Sequence, residues 1–337
     1  MPMAVIAWLL SAALLAAEPA PLTVAVAGPP TEPSYLPLYV AEALGTFEAE
    51  GVRVTLRRVK GEGSAVAALR EGDAEVAATS VDQAVRLGWG RGTPLALVAL
   101  TALSPPAALL VSARHRETIA TVADLRGKRI AIPGPGTSVH HLAIHLLRRH
   151  RVEPHQAHLV SPGALRAASQ LAAGELEAAI TLEPWTGRLL RQGHASLLLD
   201  LRDPEVARQA LGGAFYEAGL FVRKADLEAL GDRLIPLTRA LVRALAWLRR
   251  APPEAIADRL PARLVGDREE FLAQLAAVRA LYPADALATP EGMTSTLSIL
   301  RGASPLPASV RVRPGDLLAL DPLREALTAL GEAPPAP

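Results

Sequence analysis

The chain has 337 residues, half of them hydrophobic and a fifth charged, with a formal net charge of +1 and no cysteine. That length suggests about two domains, and the composition supports a sizeable core and excludes a disordered chain. No basic run interleaves with aromatics, which argues against a nucleic-acid partner. The lack of cysteine excludes thiol catalysis, Cys-based zinc sites, disulfides and a lipid anchor on a processed N-terminal cysteine.

The opening "MPMAVIAWLLSAALLAAEPAP" holds an apolar run from Met3 to Ala17. A transmembrane helix needs about 20 residues, so the run is short for one. It suits the apolar region of a secretory signal ending in small residues. A signal over residues 1–17 predicts an exported protein whose working chain begins near Glu18.

From Leu22 the chain alternates strand and helix signals to about residue 222. "LTVAVAG" (22–28) is a β-rich run, "YLPLYVAEALGTFEAEG" (35–51) a loop and helix, and "VRVTLRRV" (52–59) a second strand. "GSAVAALREG" (63–72) is a short helix stopped by Gly72, and "AEVAAT" (74–79) a third strand. "LALVALTAL" and "AALLVSA" follow. The pattern then restarts: strand "RIAIP", helix "SVHHLAIHLLRRH", strand "AHLVS", helix "ALRAASQLAAGE", strand "AAITL". Beyond residue 224 the spacing is almost wholly helical, with a Pro-Pro break, and the tail "EAPPAP" is expected to be disordered.

Two similar runs of strand–loop–helix units thus start at Leu22 and Arg129. In parallel α/β sheets, ligands bind outside the carboxyl ends of the strands, so the informative residues follow each strand. "IAIPGPGTS" (130–138) is such a turn. Gly134 and Gly136 permit backbone shapes that a side chain forbids, Thr137 or Ser138 can cap the helix, and the free N–H groups at its start can hold a polar group. It is no nucleotide loop: no Gly-Lys-Ser/Thr closes it, and the spacing is not G-x-G-x-x-G. "GPPTEPSYLPLYVA", "KGEGSAVAAL", "TSVDQA" and "LEPWTG" repeat the grammar after other strands. Five such loops on the edges of two sheets point to a cleft between domains.

At these residues the chain resembles the nitrate/sulfonate/taurine-type periplasmic substrate-binding proteins, a group that includes binders of thiamine-precursor pyrimidines. Pro37, Ala41, Gly45, Phe47, Glu50, Gly51, Val54, Gly63, Ser64 and Gly72 fit the pattern of that group's first domain, with Glu75 where Asp is usual. "DLRGKRIAIPGPGTS" and "GELEAAITLEPW" match the second domain, and "ALVRALAWLRRAPPEAIADRL" resembles the late helices. The likeness covers about residues 22 to 300.

The resemblance implies an α/β, two-lobed type II periplasmic-binding-protein fold. Each lobe is a mixed, mostly parallel sheet flanked by helices, with a helical C-terminal part. Lobe I is expected over 22–108 plus 216–330 and lobe II over 109–215, with a disordered tail over 331–337. The resemblance also implies a protein that closes on a small-molecule ligand and feeds the permease of an ABC importer, acting as a monomer with no cofactor, metal or catalytic residue. Contact positions carried onto this chain are Ser34 and Tyr35, Gly63 and Ser64, Thr79 and Ser80 in lobe I. In lobe II they are Gly136, Thr137 and Ser138, then Glu183 and Trp185. Tyr216, on "GAFYEAGLFV", is expected to be a lid or wall residue, and Trp185 to stack on the ligand.

Cleft loops offer Glu32, Glu62, Asp82, Glu183 and Glu217 but little cationic charge beyond Lys60. That leans away from nitrate and toward a flat, neutral or cationic heterocycle whose ring donors pair with carboxylates. Helix N-termini keep a sulfonate open. His141 and His145 are four apart, a spacing that can bind zinc, but the apolar face of their helix is Val139, Leu142, Ala143 and Leu146. The pair is therefore expected on a solvated basic face with Arg148 and Arg149, and His140, in the first turn, nearer the cleft. The rival class is a cytoplasmic enzyme on the same fold, of the menaquinone-pathway lyase or pyrimidine synthase type; no G-x-S-x-G elbow is present. A third reading, a sensor input domain, lacks any kinase-like or DNA-binding-like segment after residue 320.

Overall fold

The computed structural model describes residues 20–306 and 310–331. The expected signal peptide, and the expected tail after Gly331, fall outside them. Ten strands form: β1 (Leu22–Val26), β2 (Val54–Arg58), β3 (Val76–Ser80), β4 (Leu95–Ala102), β5 (Ala107–Ser112), β6 (Arg129–Ala131), β7 (His158–Val160), β8 (Ala178–Leu182), β9 (Ala195–Asp200) and β10 (Ala218–Arg223). The first eight coincide with the apolar runs of the sequence to within two residues at most ends. β9 and β10 lie in stretches with no such reading.

The strands build two five-stranded sheets, ordered β2-β1-β3-β10-β4 and β7-β6-β8-β5-β9. In the first, β1 is parallel to β2 and β3, with Val24 opposite Leu56 and Val76, and β10 is antiparallel to β3 and β4. In the second, β6 is parallel to β7 and β8, with Ile130 opposite Leu159 and Ala178, and β5 is antiparallel to β8 and β9. The two sheets thus share one plan. Each takes one antiparallel strand from a segment where the chain passes between them: β5 on entering the second, β10 on returning to the first.

Helices fill the faces for local reasons. Pro37 sits at the start of helix Leu36–Leu44, and Gly45, at φ 68°, ends it by donating to the carbonyls of Ala41 and Glu42. Thr137 caps helix Ser138–Arg149, its hydroxyl accepting from the His140 amide. The C-terminal part is helical, as its spacing predicts. Helix Leu227–Arg250 buries Leu234, Leu237, Leu241 and Leu245 against the first sheet's layer and accommodates Pro236. One large apolar cluster serves the first sheet; two smaller ones cover the opposite faces of the second. Among the described residues no helix is long and apolar enough to cross a membrane.

Candidate ligand-binding cleft

A cavity of about 400 Å³ opens between the carboxyl edges of the two sheets. The turns that follow β1, β2 and β6, the end of β8 at Leu182, and the residues around β3 and β10 meet there. Of the residues singled out from sequence, Ser34, Tyr35, Gly63, Gly136, Thr137 and Ser138 line it. Glu32, Glu62, Gln83 and Glu217 share the lining.

Backbone geometry puts these groups in reach. Gly28 ends the first strand's run, and a Cβ there would stand 3.0 Å from the Tyr35 ring and 3.1 Å from Glu32 Cβ, so glycine lets that loop fold back on itself. Gly61, at φ 85°, turns the chain into helix Glu62–Glu71 and delivers Glu62 to the cavity. The "PGPGTS" turn works as its chemistry predicts. Thr137 Oγ1 donates to the Gly134 carbonyl at 2.8 Å and accepts from the His140 amide at 3.2 Å, while Gly136, at φ 76°, gives its amide to His140 Nδ1 at 2.9 Å.

The first lobe's wall is acidic. Glu217 is buried, and its two oxygens each lie 3.2 Å from Ser138 Oγ, which donates to them from the second lobe. Burial, then the neighbouring Glu62 charge, push the Glu217 carboxyl well above its usual range. Burial also lifts Glu32 from 4.5 to about 7. Glu62 rises likewise to about 7, chiefly by burial and then against the pull of a hydrogen bond from Ser80. Tyr35 is pushed up by burial and by Glu62, Glu32 and Glu217. No Lys, Arg or His is among the described lining residues, so these carboxyls face one another without a cation.

Asp82, behind them, is fully buried but differs in being satisfied. It accepts from Arg86 Nε at 2.6 Å, Gln83 Nε2 at 2.9 Å and His141 Nδ1 at 2.8 Å. Here the structure corrects the expected solvated histidine face. His141 is 8 % exposed and bonds across the lobes to Asp82, and His145 meets the Leu211 carbonyl at 2.9 Å. Arg148 reaches the Gly302 carbonyl at 2.6 Å. The histidines of helix Ser138–Arg149 thus bond to protein instead of water, while Arg148 and Arg149 stay exposed as expected. Among the described residues no group of three or more His, Cys, Asp or Glu side chains is placed to hold a metal.

The other expected contact residues stand apart from the lining. Ser64 is exposed and its hydroxyl donates to the Lys60 carbonyl at 2.9 Å. Thr79 and Ser80 are buried one layer back, Thr79 donating to the Glu62 carbonyl at 3.2 Å and Ser80 capping the Gln83 amide. His140, half-buried, supports the Gly136 turn, and burial lowers its pKa, with His141 adding to the effect. Glu183 is buried against Arg202, which also binds Asp200 at 2.7 Å, and accepts from the Gly187 amide at 3.1 Å. Tyr216 is packed on the far side. Its hydroxyl accepts from the Thr289 amide at 3.1 Å, and a Cβ on Gly292 would come within 2.3 Å of that oxygen. Trp185 walls a second, apolar cavity beside the first, with the Arg188 guanidinium 5.0 Å from its ring centre.

Sequence reasoning left Gln83 without a role. Its amide donates to Asp82 and, at 3.0 Å across the cleft, to the Gly136 carbonyl. The only signal was its place in "TSVDQA", just past a strand end.

A family model described as "NMT1/THI5 like" matches residues 32–255. No curated protein matches the sequence. A solved structure from Bordetella bronchiseptica RB50 superposes with a TM-score of 0.79 at 24% identity, over 93% of this chain and 99% of that one. The periplasmic aliphatic sulphonate binding protein SsuA from Escherichia coli gives 0.69 at 17% identity, over 89% and 92%. The desulfurization enzyme DSZB gives 0.62 at 18% identity, over 92% and 99%. These likenesses show the two-lobed type II periplasmic-binding-protein fold.

Proposed function

The chain belongs to the NMT1/THI5-like family, and we propose that it is the exported solute-binding component of an ABC importer. It takes a small neutral or cationic solute rich in N–H donors, such as an aminopyrimidine, between lobe I (22–108 plus 216–330) and lobe II (109–215), and presents it to a membrane permease as a monomer. One observation carries the ligand class: Glu32, Glu62 and Glu217 line the cavity, and no described lining residue is cationic. A carboxylate accepts hydrogen bonds only, so it recognises donors and repels anions. A sulfonate or nitrate would bring negative charge against these carboxyls and would find only neutral donors, backbone N–H groups and side chains such as Ser34, Tyr35 and Gln83, with no cation to oppose them.

Calorimetric titration with 4-aminopyrimidine, methanesulfonate and nitrate tests this. The expected result is binding of the aminopyrimidine alone, weakened in Glu62→Gln. Tighter binding of either anion overturns the ligand class. Export rests on the apolar run from Met3 to Ala17. A mature chain starting near Glu18 supports it, and an intact Met1 in the cytosol contradicts it.

The titration of Glu32 and Glu62 near 7 favours a second reading, a general base acting on the bound solute, because such groups work best near ambient pH. Recovery of the bound solute unaltered after long incubation supports transport; a chemically changed product supports catalysis.

A further inference from the structure

The cavity that Trp185 walls, about 100 Å³ in volume, adjoins the acidic cleft. Pro133 and Leu182 line both, so that pair forms the wall the two spaces share. The second space is built from Ala131, Ile180, Ala167 and the Trp185 ring. Its one polar side chain is Thr181, whose hydroxyl is already bonded to that of Thr186 at 2.7 Å. No charged side chain lines it. Its wall is held in place from outside, because Arg188 lies on Trp185 and pairs with Glu270 of the first lobe's helix Arg268–Val278, Nη2 to Oε2 at 2.7 Å.

We infer that this apolar compartment is a subsite of the cleft, and that the natural solute is bipartite: a donor-bearing or cationic head on the lobe I carboxyls and a small ring or branched alkyl group seated against Trp185. The size fits a small group, since an apolar cavity of about 150 Å³ is known to hold benzene, and a ligand that displaces the Pro133–Leu182 boundary need place only part of such a ring here. The chemistry fits too, because an apolar pocket beside a few polar groups fixes a ligand's orientation. A solute lacking the apolar part would fill half the site. This inference rests on the donor-bearing ligand proposed above.

Acetamidine and benzamidine share one cationic, four-donor head and differ only in methyl against phenyl, so they serve as probes. Calorimetry on the full exported chain should find benzamidine at least tenfold tighter. Three variants read the compartment alone: Trp185→Ala removes its wall, Ala167→Leu fills its depth, and Ala164→Leu, at an exposed helix start, narrows its mouth without disturbing packed core. In each, benzamidine should fall to within about threefold of acetamidine, while acetamidine affinity stays put and reports an intact fold. Equal affinities in the parent protein overturn the subsite and leave the carboxylate-lined cleft standing. A benzamidine advantage that survives all three substitutions overturns it as well, because the ring then sits elsewhere. Failure of both amidines to bind overturns the donor-bearing ligand itself, and the subsite with it.

Discussion

The two lobes share a backbone plan and differ in the chemistry they hang on it. Helices Glu62–Glu71 and Ala164–Ala173 have ten residues each. Each follows a glycine of positive φ, Gly61 at 85° and Gly163 at 88°, and each ends at a left-handed glycine, Gly72 at 79° and Gly174 at 75°. Each leads into the strand beside its sheet's first parallel strand, β3 or β8. At the helix start one lobe has Glu62 and the other Ala164. Past the next strand, one has Asp82 and Gln83 and the other Pro184 and Trp185. Repetition of the plan supplies two cleft-facing edges; single side chains at matching points then make one edge acidic and the other apolar. Even the carboxylates differ. Glu183, in the second lobe, is neutralised by Arg202 and is part of the structure. Glu32, Glu62 and Glu217 have no such partner and are available to a ligand.

The sharpest break of this contrast is in the second lobe. Arg202→Ala leaves Glu183 buried and unpaired, which should cost about 3–5 kcal/mol, read as a lower denaturation midpoint. Removing charge in the first lobe should act in the opposite sense. Glu32 has a pKa raised from 4.5 to about 7, so the folded state holds its proton where the unfolded state has lost it. Stability is therefore greatest below about pH 4.5 for this group and falls as pH rises toward 7. Glu32→Gln should stabilise the unliganded protein at pH 8 by roughly 2 kcal/mol, after allowing for partial exposure to the cleft, at 1.4 kcal/mol per pKa unit. Thermal melts of parent and variant from pH 5 to 8 check it: the gap should widen with pH, and a constant gap would contradict it.

The same carboxyls should couple binding to protons. Glu32 and Glu62 accept ligand donors best when ionised, and the groups facing them are Tyr35, Glu217 and Asp82, the last already held by Arg86 and His141. Benzamidine affinity should rise up to about tenfold per pH unit from pH 5 to 7 and then level, a change of about 1.4 kcal/mol per unit. Glu62→Gln should flatten the rise. The smallest effect belongs to the bonds that span the lobes. His141→Ala removes one of three donors to Asp82, at roughly 1 kcal/mol, and small-angle scattering should show a slightly larger unliganded radius.

Much of this was legible in the sequence because strands and turns declare themselves locally. β-rich runs and the glycines at 72 and 136 marked elements that the structure reproduces, whereas the helix read as running to Gly51 is broken at Gly45 into Leu36–Leu44 and Thr46–Ala49. β9 escaped notice as an edge strand that is only partly buried along most of its length, so its pattern carries little apolar contrast. Site residues were harder, since a residue after a strand end can face the cleft or the layer behind it. Thr79 and Ser80 are such cases, buried one layer back. His141 was misplaced for a related reason: helical spacing shows which face is polar, while the partner of that face, here Asp82 on a distant segment, is a tertiary fact.

The central claim is that the acidic edge of lobe I selects a donor-bearing head while the apolar edge of lobe II selects its body. The most direct measurement is denaturation of freshly purified protein and mass-spectrometric identification of whatever small molecule is released. The account predicts a neutral or positively charged nitrogenous solute with N–H donors and an apolar ring or branched alkyl group. A sulfonate, nitrate or other donor-free anion released in stoichiometric amount would contradict it.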